Sequence, residues 1–221
     1  NAIENNELFL LYQPQVDSKA GKVIGAEALI RWQHPELGLI SPFEFIPIAE
    51  ETSQIITIGK WTLQQACSQL KEWHSAGYTN LKMGINLSAI EFEQKDFVQT
   101  IISTIEEIRV PANLIDLELT ERIAMVDEKE TLLKLKALKS YGVHLSIDDF
   151  GTGYSSLAYL PLYPIDTLKI PREFVNRIGT SNDGDEIIQT IISLAHTLNM
   201  KVIAEGVETK KQLTVLQQNA C

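Results

Sequence analysis

Short apolar or alternating runs recur along the chain, and between most of them the apolar positions repeat at helical spacing. Leu8–Val16 and Val23–Trp32 predict two strands joined by a turn at Asp17–Gly21, a hairpin and so an antiparallel pair. At Ser41-Pro42 the rhythm changes. A capping serine and a first-turn proline, followed by Phe43, Phe45, Ile46 and Ile48, predict a helix. A second runs from Gly59 to Ala76 and stops at Gly77. Strands then follow at Leu81–Leu87, Ile115–Leu119, Val143–Ile147, Thr167–Ile170 and Lys201–Ala204. Helices are predicted at Phe97–Ile108, Leu132–Tyr141, Asp185–Leu198 and Lys210–Asn219, with a Gly-rich loop and a short helix before Thr167.

Strand–helix alternation of this kind predicts a parallel sheet, each step being one βαβ unit of roughly thirty residues. The natural closure is an α/β barrel with an antiparallel opening strand. Only seven strands are predicted in 221 residues, whereas an eight-stranded barrel typically takes about 250. The expectation is therefore one domain over residues 1–221 that lacks the last strand of its barrel. Asn1 opens in mid-pattern, so the domain is expected to be cut from a longer, multidomain protein.

Composition changes this picture little: 44% hydrophobic and 22% charged residues are ordinary for a globular protein. Charge says more. A formal net charge of -10 and a pI near 4.9 argue against gripping DNA or RNA, which needs clustered Lys and Arg. An anionic substrate would need divalent cations to reverse the field inside an acidic pocket. The two cysteines, Cys67 and Cys221, have no metal-ligand spacing, which fits a reducing, cytoplasmic setting. No apolar run reaches the ~18 residues that would span a bilayer.

The candidate chemistry lies at strand ends. In a barrel of parallel strands these ends meet around one mouth, so Glu27, Asn86, Glu118, Asp148, Asp149 and Glu205 would become one cage of oxygen ligands. Strand alternation puts Glu27, Leu29 and Arg31 on one face, which suits a metal and a phosphate in turn or a plain surface ion pair. Asn86 fits either a neutral ligand or a cap of the next loop. Glu118 stands between two leucines inside a strand, where a cation would offset the cost of burial. Asp148 and Asp149 are adjacent carboxylates that repel unless a cation joins them, and they could reach two metals. The Gly151-Thr152-Gly153 that follows permits positive backbone angles, as an active-site loop or an ordinary turn would use. Lys169 is either a residue that orients or deprotonates water or a snorkelling strand-end lysine. Glu121 reads as a loop anchor, and Glu208 as a cap for the last helix.

The segments Tyr12-Gln13-Pro14-Gln15, Glu27-Ala28-Leu29-Ile30-Arg31-Trp32, Ile85-Asn86-Leu87-Ser88, Glu118-Leu119-Thr120-Glu121, Asp148-Asp149-Phe150-Gly151-Thr152-Gly153, Leu168-Lys169-Ile170 and Ala204-Glu205-Gly206-Val207-Glu208 resemble, in order and spacing, the EAL-domain family. The resemblance implies a modified TIM (β/α)8 barrel that hydrolyses cyclic-di-GMP to linear pGpG with two Mg²⁺ or Mn²⁺ ions. It implies that Glu27, Asn86, Glu118 and Asp148 hold one metal, and Asp148, Asp149 and Glu205 the other. Lys169 and Glu205 would activate the water, Gln13, Leu29 and Arg31 would bind substrate, and Glu121 would steady the loop from Asp149. A homodimer is also implied, with sensory or cyclase domains flanking the parent chain, which could be membrane-tethered.

Two departures stand out. Pro171 replaces the Asp common in the family after Lys-Ile, removing a carboxylate and a backbone donor near Lys169. The family's further segment, with its nucleotide-contacting glutamine and last strand, would begin at Asn219-Ala220-Cys221. The competing readings are a catalytically weak EAL domain acting as a cyclic-di-GMP receptor or interaction module, and an enolase-like lyase using Mg²⁺ and a lysine base.

Overall fold

The predicted hairpin forms. β1 (Leu8–Val16) and β2 (Val23–His34) are neighbouring strands. Their ends are tied by Gln33 N–H to Glu7 C=O at 2.8 Å and by Asp17 N–H to Lys22 C=O at 2.9 Å, the pattern of an antiparallel pair. At the turn, the Asp17 carboxylate accepts the N–H groups of Lys19 and Ala20, and Gly21 takes φ 64°. The computed structural model describes residues 2–121, 123, 128–153, 160–180 and 182–221.

Two compact units share the chain. The first comprises Asn1–Gln15, Val23–Leu117 and Ser140–Val143; the second comprises Val16–Lys22, Glu118–Lys139 and His144–Cys221. In the first, β2 pairs antiparallel with a short β3 (Gly38–Ile40) and parallel with β4 (Lys82–Leu87). The parallel register sets Glu27 opposite Gly84 and Ala28 opposite Ile85. Ser41 caps α1 (Pro42–Glu51), its side chain accepting the Phe43 N–H. α2 (Ile55–Ser75) buries Leu63, Ala66, Cys67 and Leu70 at helical spacing and packs on β4 and on α4 (Phe97–Ile108), while α3 (Ala89–Glu93) is a short turn between them in sequence.

β5 (Ile115–Thr120) begins in the first unit and passes into the second at Glu118. From it the second unit continues through β6 (His144–Asp148), β7 (Thr167–Ile170) and β8 (Lys201–Ala204), neighbours in that order. Both pairings within β6–β8 are parallel. Every residue of β7 is buried, as expected of a parallel strand covered on both faces. α7 (Asn182–Thr197) supplies part of that cover with Ile188, Ile192 and Ala195. α5 (Glu128–Tyr141), α6 (Arg172–Val175) and α8 (Lys210–Gln218) complete the described helices. Asp166 fastens the start of β7: its carboxylate accepts Lys139 Nζ at 2.5 and 2.6 Å and the Leu145 N–H at 2.9 Å.

All seven predicted strands are present; β3 is an addition that pairs only with β2. α2 starts at Ile55 rather than Gly59, because Gln54 caps it without any side-chain bond and so leaves no sequence mark. Glu208 does not cap α8. Thr209 does, in a reciprocal box with Gln212, and Glu208 pairs with Arg172 instead. A short helix is predicted between the Gly-rich loop and Thr167; residues 154–159 of that stretch lie outside the described residues, and Leu160–Leu162 form one 3-10 turn. Both cysteines are free thiols. Among the described residues no helix is long and apolar enough to cross a membrane.

Candidate active site

Extending the β6–β7 register by one step sets Asp148 beside Lys169, and β8 sets Ile203 on the other side of that lysine. Glu205 lies two residues beyond Ile203, on the same side of the strand by alternation. Its N–H is tied to Ile170 C=O at 3.0 Å. The lysine that sequence alone leaves open as a snorkelling side chain is 1% exposed. Its Nζ lies 2.6 Å from Glu118, 2.8 Å from Glu205 and 3.1 Å from Asp148. So the charge that makes buried Glu118 tolerable within the chain itself is this ammonium.

Asp148, Asp149 and Glu205 each present a carboxylate oxygen within 4.8 Å of the others. Asp149 holds φ 52°, a left-handed angle that re-aims its carboxylate away from strand alternation, and its N–H bonds Asp148 Oδ1 at 2.9 Å. Three carboxylates, Glu118, Asp148 and Glu205, share one ammonium, and Asp149 adds a fourth negative charge beside Asp148 and Glu205, which leaves an excess of negative charge. Oxygen donors at this spacing, with a surplus of negative charge, fit a hard divalent cation.

Glu121 Oε2 accepts the N–H of Gly151 at 3.3 Å, where the loop after Asp149 turns through φ 87°. Gly153 does not share that geometry, since its φ is not positive. The far part of the loop, residues 154–159, lies outside the described residues.

In the first unit, Asn86 is exposed at the end of β4 and its amide donates to Glu27 Oε1 at 2.6 Å. It is not the cap of the following helix; Ser88 is. Leu29 and Arg31 are half-buried on the face of β2 that carries Glu27, and Arg31 Nη1 donates to Ile30 C=O at 2.7 Å. Gln13 is exposed on β1, in line with Phe9 and Leu11.

Arg172 carries no mark in the sequence pattern. Its side chain lies across Gly206, the residue after Glu205, so closely that a Cβ there would stand 2.6 Å from Arg172 Cγ, and its guanidinium meets Glu208 at 2.8 Å. The positive φ of Gly206, 65°, was the only local hint, through its glycine.

The family model described as EAL domain matches residues 1–221. The chain belongs to the EAL domain family. The bifunctional diguanylate cyclase/cyclic di-GMP phosphodiesterase MucR of Pseudomonas aeruginosa (PAO1) is 42% identical over 220 residues, covering 100% of this EAL domain and 32% of that protein. The cyclic di-GMP phosphodiesterase NbdA of the same strain is 41% identical, covering 100% of this chain and 28% of NbdA. This EAL domain thus spans about a third of the length of the curated relatives it matches, which carry further domains' worth of chain. The solved structure of the PaMucR phosphodiesterase in its c-di-GMP complex aligns with a TM-score of 0.95 at 42% identity, covering 100% of this chain and 89% of that one. The α/β barrel with an antiparallel opening strand expected from the strand–helix alternation, and the modified TIM barrel that the family resemblance implies, agree with the fold found.

Proposed function

We propose that this EAL domain is a metal-dependent phosphodiesterase that opens cyclic-di-GMP to linear pGpG. The observation that carries the reading is Lys169: a fully buried ammonium bonded to Glu118, Asp148 and Glu205, next to the Asp148–Asp149–Glu205 oxygen group. Such an arrangement is costly to keep, and charged groups held out of water around one point are typical of sites that do chemistry. Its support from outside is the likeness to relatives named as cyclic di-GMP phosphodiesterases.

Asp148, Asp149 and Glu205 would hold one Mg²⁺ or Mn²⁺, and Glu27, Asn86, Glu118 and Asp148 would serve the other. When bound, such ions lower the pKa of water and neutralise charge on phosphoryl oxygens. The chain's own residues do the rest. Lys169 and Glu205, 2.8 Å apart, would position the attacking water, with the Lys169 ammonium donating to it and the Glu205 carboxylate receiving its proton. The water oxygen bonds to phosphorus, the P–O3′ bond breaks, and the departing oxygen takes up a proton to leave a 3′-hydroxyl and a 5′-phosphate. Gln13, Leu29 and Arg31 would bind the nucleotide, Arg31 as a fork matched to phosphate. Glu121 holds the loop from Asp149 in place through Gly151.

The test is direct: incubate the protein with cyclic-di-GMP and Mg²⁺ or Mn²⁺ and separate pGpG by chromatography. Metal-dependent appearance of pGpG is expected. Tight binding without turnover would replace this reading with a receptor. Flanking domains and a homodimer, both implied by the family resemblance, belong to the same proposal; light scattering of the purified protein checks the second.

A further inference from the structure

Gly59 sits inside α2 with an ordinary helical backbone, so nothing in its own conformation requires glycine. Glycine is also the poorest helix former after proline. Its reason is a neighbour. A Cβ at this position would stand 1.5 Å from Glu91 Oε1 and 2.1 Å from Glu91 Cδ, so α2 has left a notch that the Glu91 carboxyl fills. From that notch Glu91 Oε2 accepts both the N–H of Ser88 at 3.1 Å and its hydroxyl at 2.6 Å, while Ser88 Oγ accepts the Glu91 N–H at 3.2 Å. Two residues before Ser88 is Asn86, whose exposed amide reaches Glu27 at 2.6 Å.

We propose that Glu91, seated in the Gly59 notch, is a positioning residue: it fixes Ser88 and thereby the end of β4, so that Asn86 meets Glu27 in a geometry ready to ligate a cation. The part of the inference that concerns cation binding rests on the function proposed above; the part that concerns Asn86 does not. An exposed side chain at a strand end otherwise loses rotamer and backbone freedom when it binds, and a second tier of hydrogen bonds removes that cost in advance. Ser88 is well suited to transmit it, because its N–H and its hydroxyl are both committed to one carboxylate oxygen. Leu87, buried between Asn86 and Ser88, makes the link stiff.

The experiment compares wild type with Glu91→Ala, Glu91→Gln, Ser88→Ala and Gly59→Ala, reading Mn²⁺ affinity by titration calorimetry, cyclic-di-GMP turnover, and the NMR signal of the Asn86 side-chain amide without metal. Glu91→Ala should shift the Asn86 amide signal, weaken Mn²⁺ binding at least fivefold and lower kcat at least tenfold. Glu91→Gln keeps an accepting oxygen and should restore all three to within about twofold; a merely space-filling role would not distinguish them. Ser88→Ala should move in the direction of Glu91→Ala with less disturbance of packing. Gly59→Ala should reproduce Glu91→Ala in the wild type, yet add no further loss in the Glu91→Ala background, where the notch is already empty. An unmoved Asn86 signal in folded Glu91→Ala or Ser88→Ala overturns the proposal, as does an additive Gly59→Ala effect. A wild type that neither binds Mn²⁺ nor cleaves cyclic-di-GMP would sink the functional reading alone, because the NMR comparison still decides the positioning role.

Discussion

Lys169 Nζ and Glu118 Oε2 lie 2.6 Å apart, with both side chains withdrawn from solvent, and two further carboxylates share the same ammonium. Removing the lysine therefore takes from this buried negative charge the ammonium that three carboxylates share. Lys169→Ala should cost roughly 3–5 kcal/mol of stability without metal, and added Mn²⁺ should recover much of that. Turnover should fall by about a hundredfold or more while cyclic-di-GMP binding persists, as expected when a group that positions the attacking water is lost. Thermal melts with and without Mn²⁺, beside binding and product assays, check this; a melt indifferent to both the substitution and the ion would contradict it.

Asp148 belongs both to the lysine cluster and to the oxygen group with Asp149 and Glu205, so its loss strikes two functions at once. Asp148→Ala should abolish measurable hydrolysis. Glu27→Ala should do the same by taking away the partner of the Asn86 amide along with a proposed ligand. Raising Mn²⁺ tenfold should not rescue Asp148→Ala, and a rate assay over that range is the measurement.

What the sequence made legible was whatever depends on neighbours in the chain. The adjacent Asp148 and Asp149, the Ser41-Pro42 helix start and the buried β7 run all announce themselves within a few residues. Asn86 stayed ambiguous because its partner, Glu27, is 59 positions away. Lys169 stayed ambiguous because its burial depends on cover from both faces of β7, and its partners come from three other stretches of chain. Short elements escaped for a different reason: β3 has three residues and α3 five, too few to show a period. Gly59 and Glu91 lie too far apart in sequence for either residue type to suggest the other.

At the opposite end of β7 from Lys169, Asp166 gathers the Lys139 ammonium and the Leu145 N–H. Here the contacts join α5, β6 and β7 and have no place in the chemistry. Asp166→Ala should destabilise the fold by about 1–3 kcal/mol, the range for leaving part-buried donors without their acceptor. Once corrected for the folded fraction, kcat and KM should match the wild type. Urea unfolding paired with steady-state kinetics separates the two effects; a changed kcat in fully folded protein would place Asp166 in the mechanism after all.

Gly206 follows Glu205 at φ 65° with the Arg172 side chain across it. Gly206→Ala meets two obstacles: a left-handed backbone that costs an alanine about 1 kcal/mol, and a Cβ that collides with Arg172. Both act on the peptide next to Glu205, so turnover should fall more than stability does. Arg172→Ala in the same chain removes the collision but not the backbone strain and should return part of the activity. Kinetics of the two single variants and the double variant test this; equal losses in the single Gly206→Ala and the double would show that Arg172 has no part in it.

Glu91 gives the fold a pH dependence whose sign is fixed by its burial. Desolvation raises its pKa from 4.5 to about 7, against the opposing hydrogen bonds from Ser88, and the nearby charge of Glu50 pushes the same way as burial. Between those values the folded chain keeps a proton that the unfolded chain has released. Stability therefore declines as pH rises from about 4.5 to about 7 and levels off above, by at most roughly 3 kcal/mol for a shift of this size. Glu91→Gln cannot titrate and still offers an accepting oxygen to Ser88. It should flatten this part of the profile and leave the variant more stable than wild type at pH 8 while differing little at pH 5. Denaturant unfolding at half-unit pH steps measures both curves, and parallel profiles for wild type and Glu91→Gln would show that this carboxyl titrates no differently in the folded and unfolded chain.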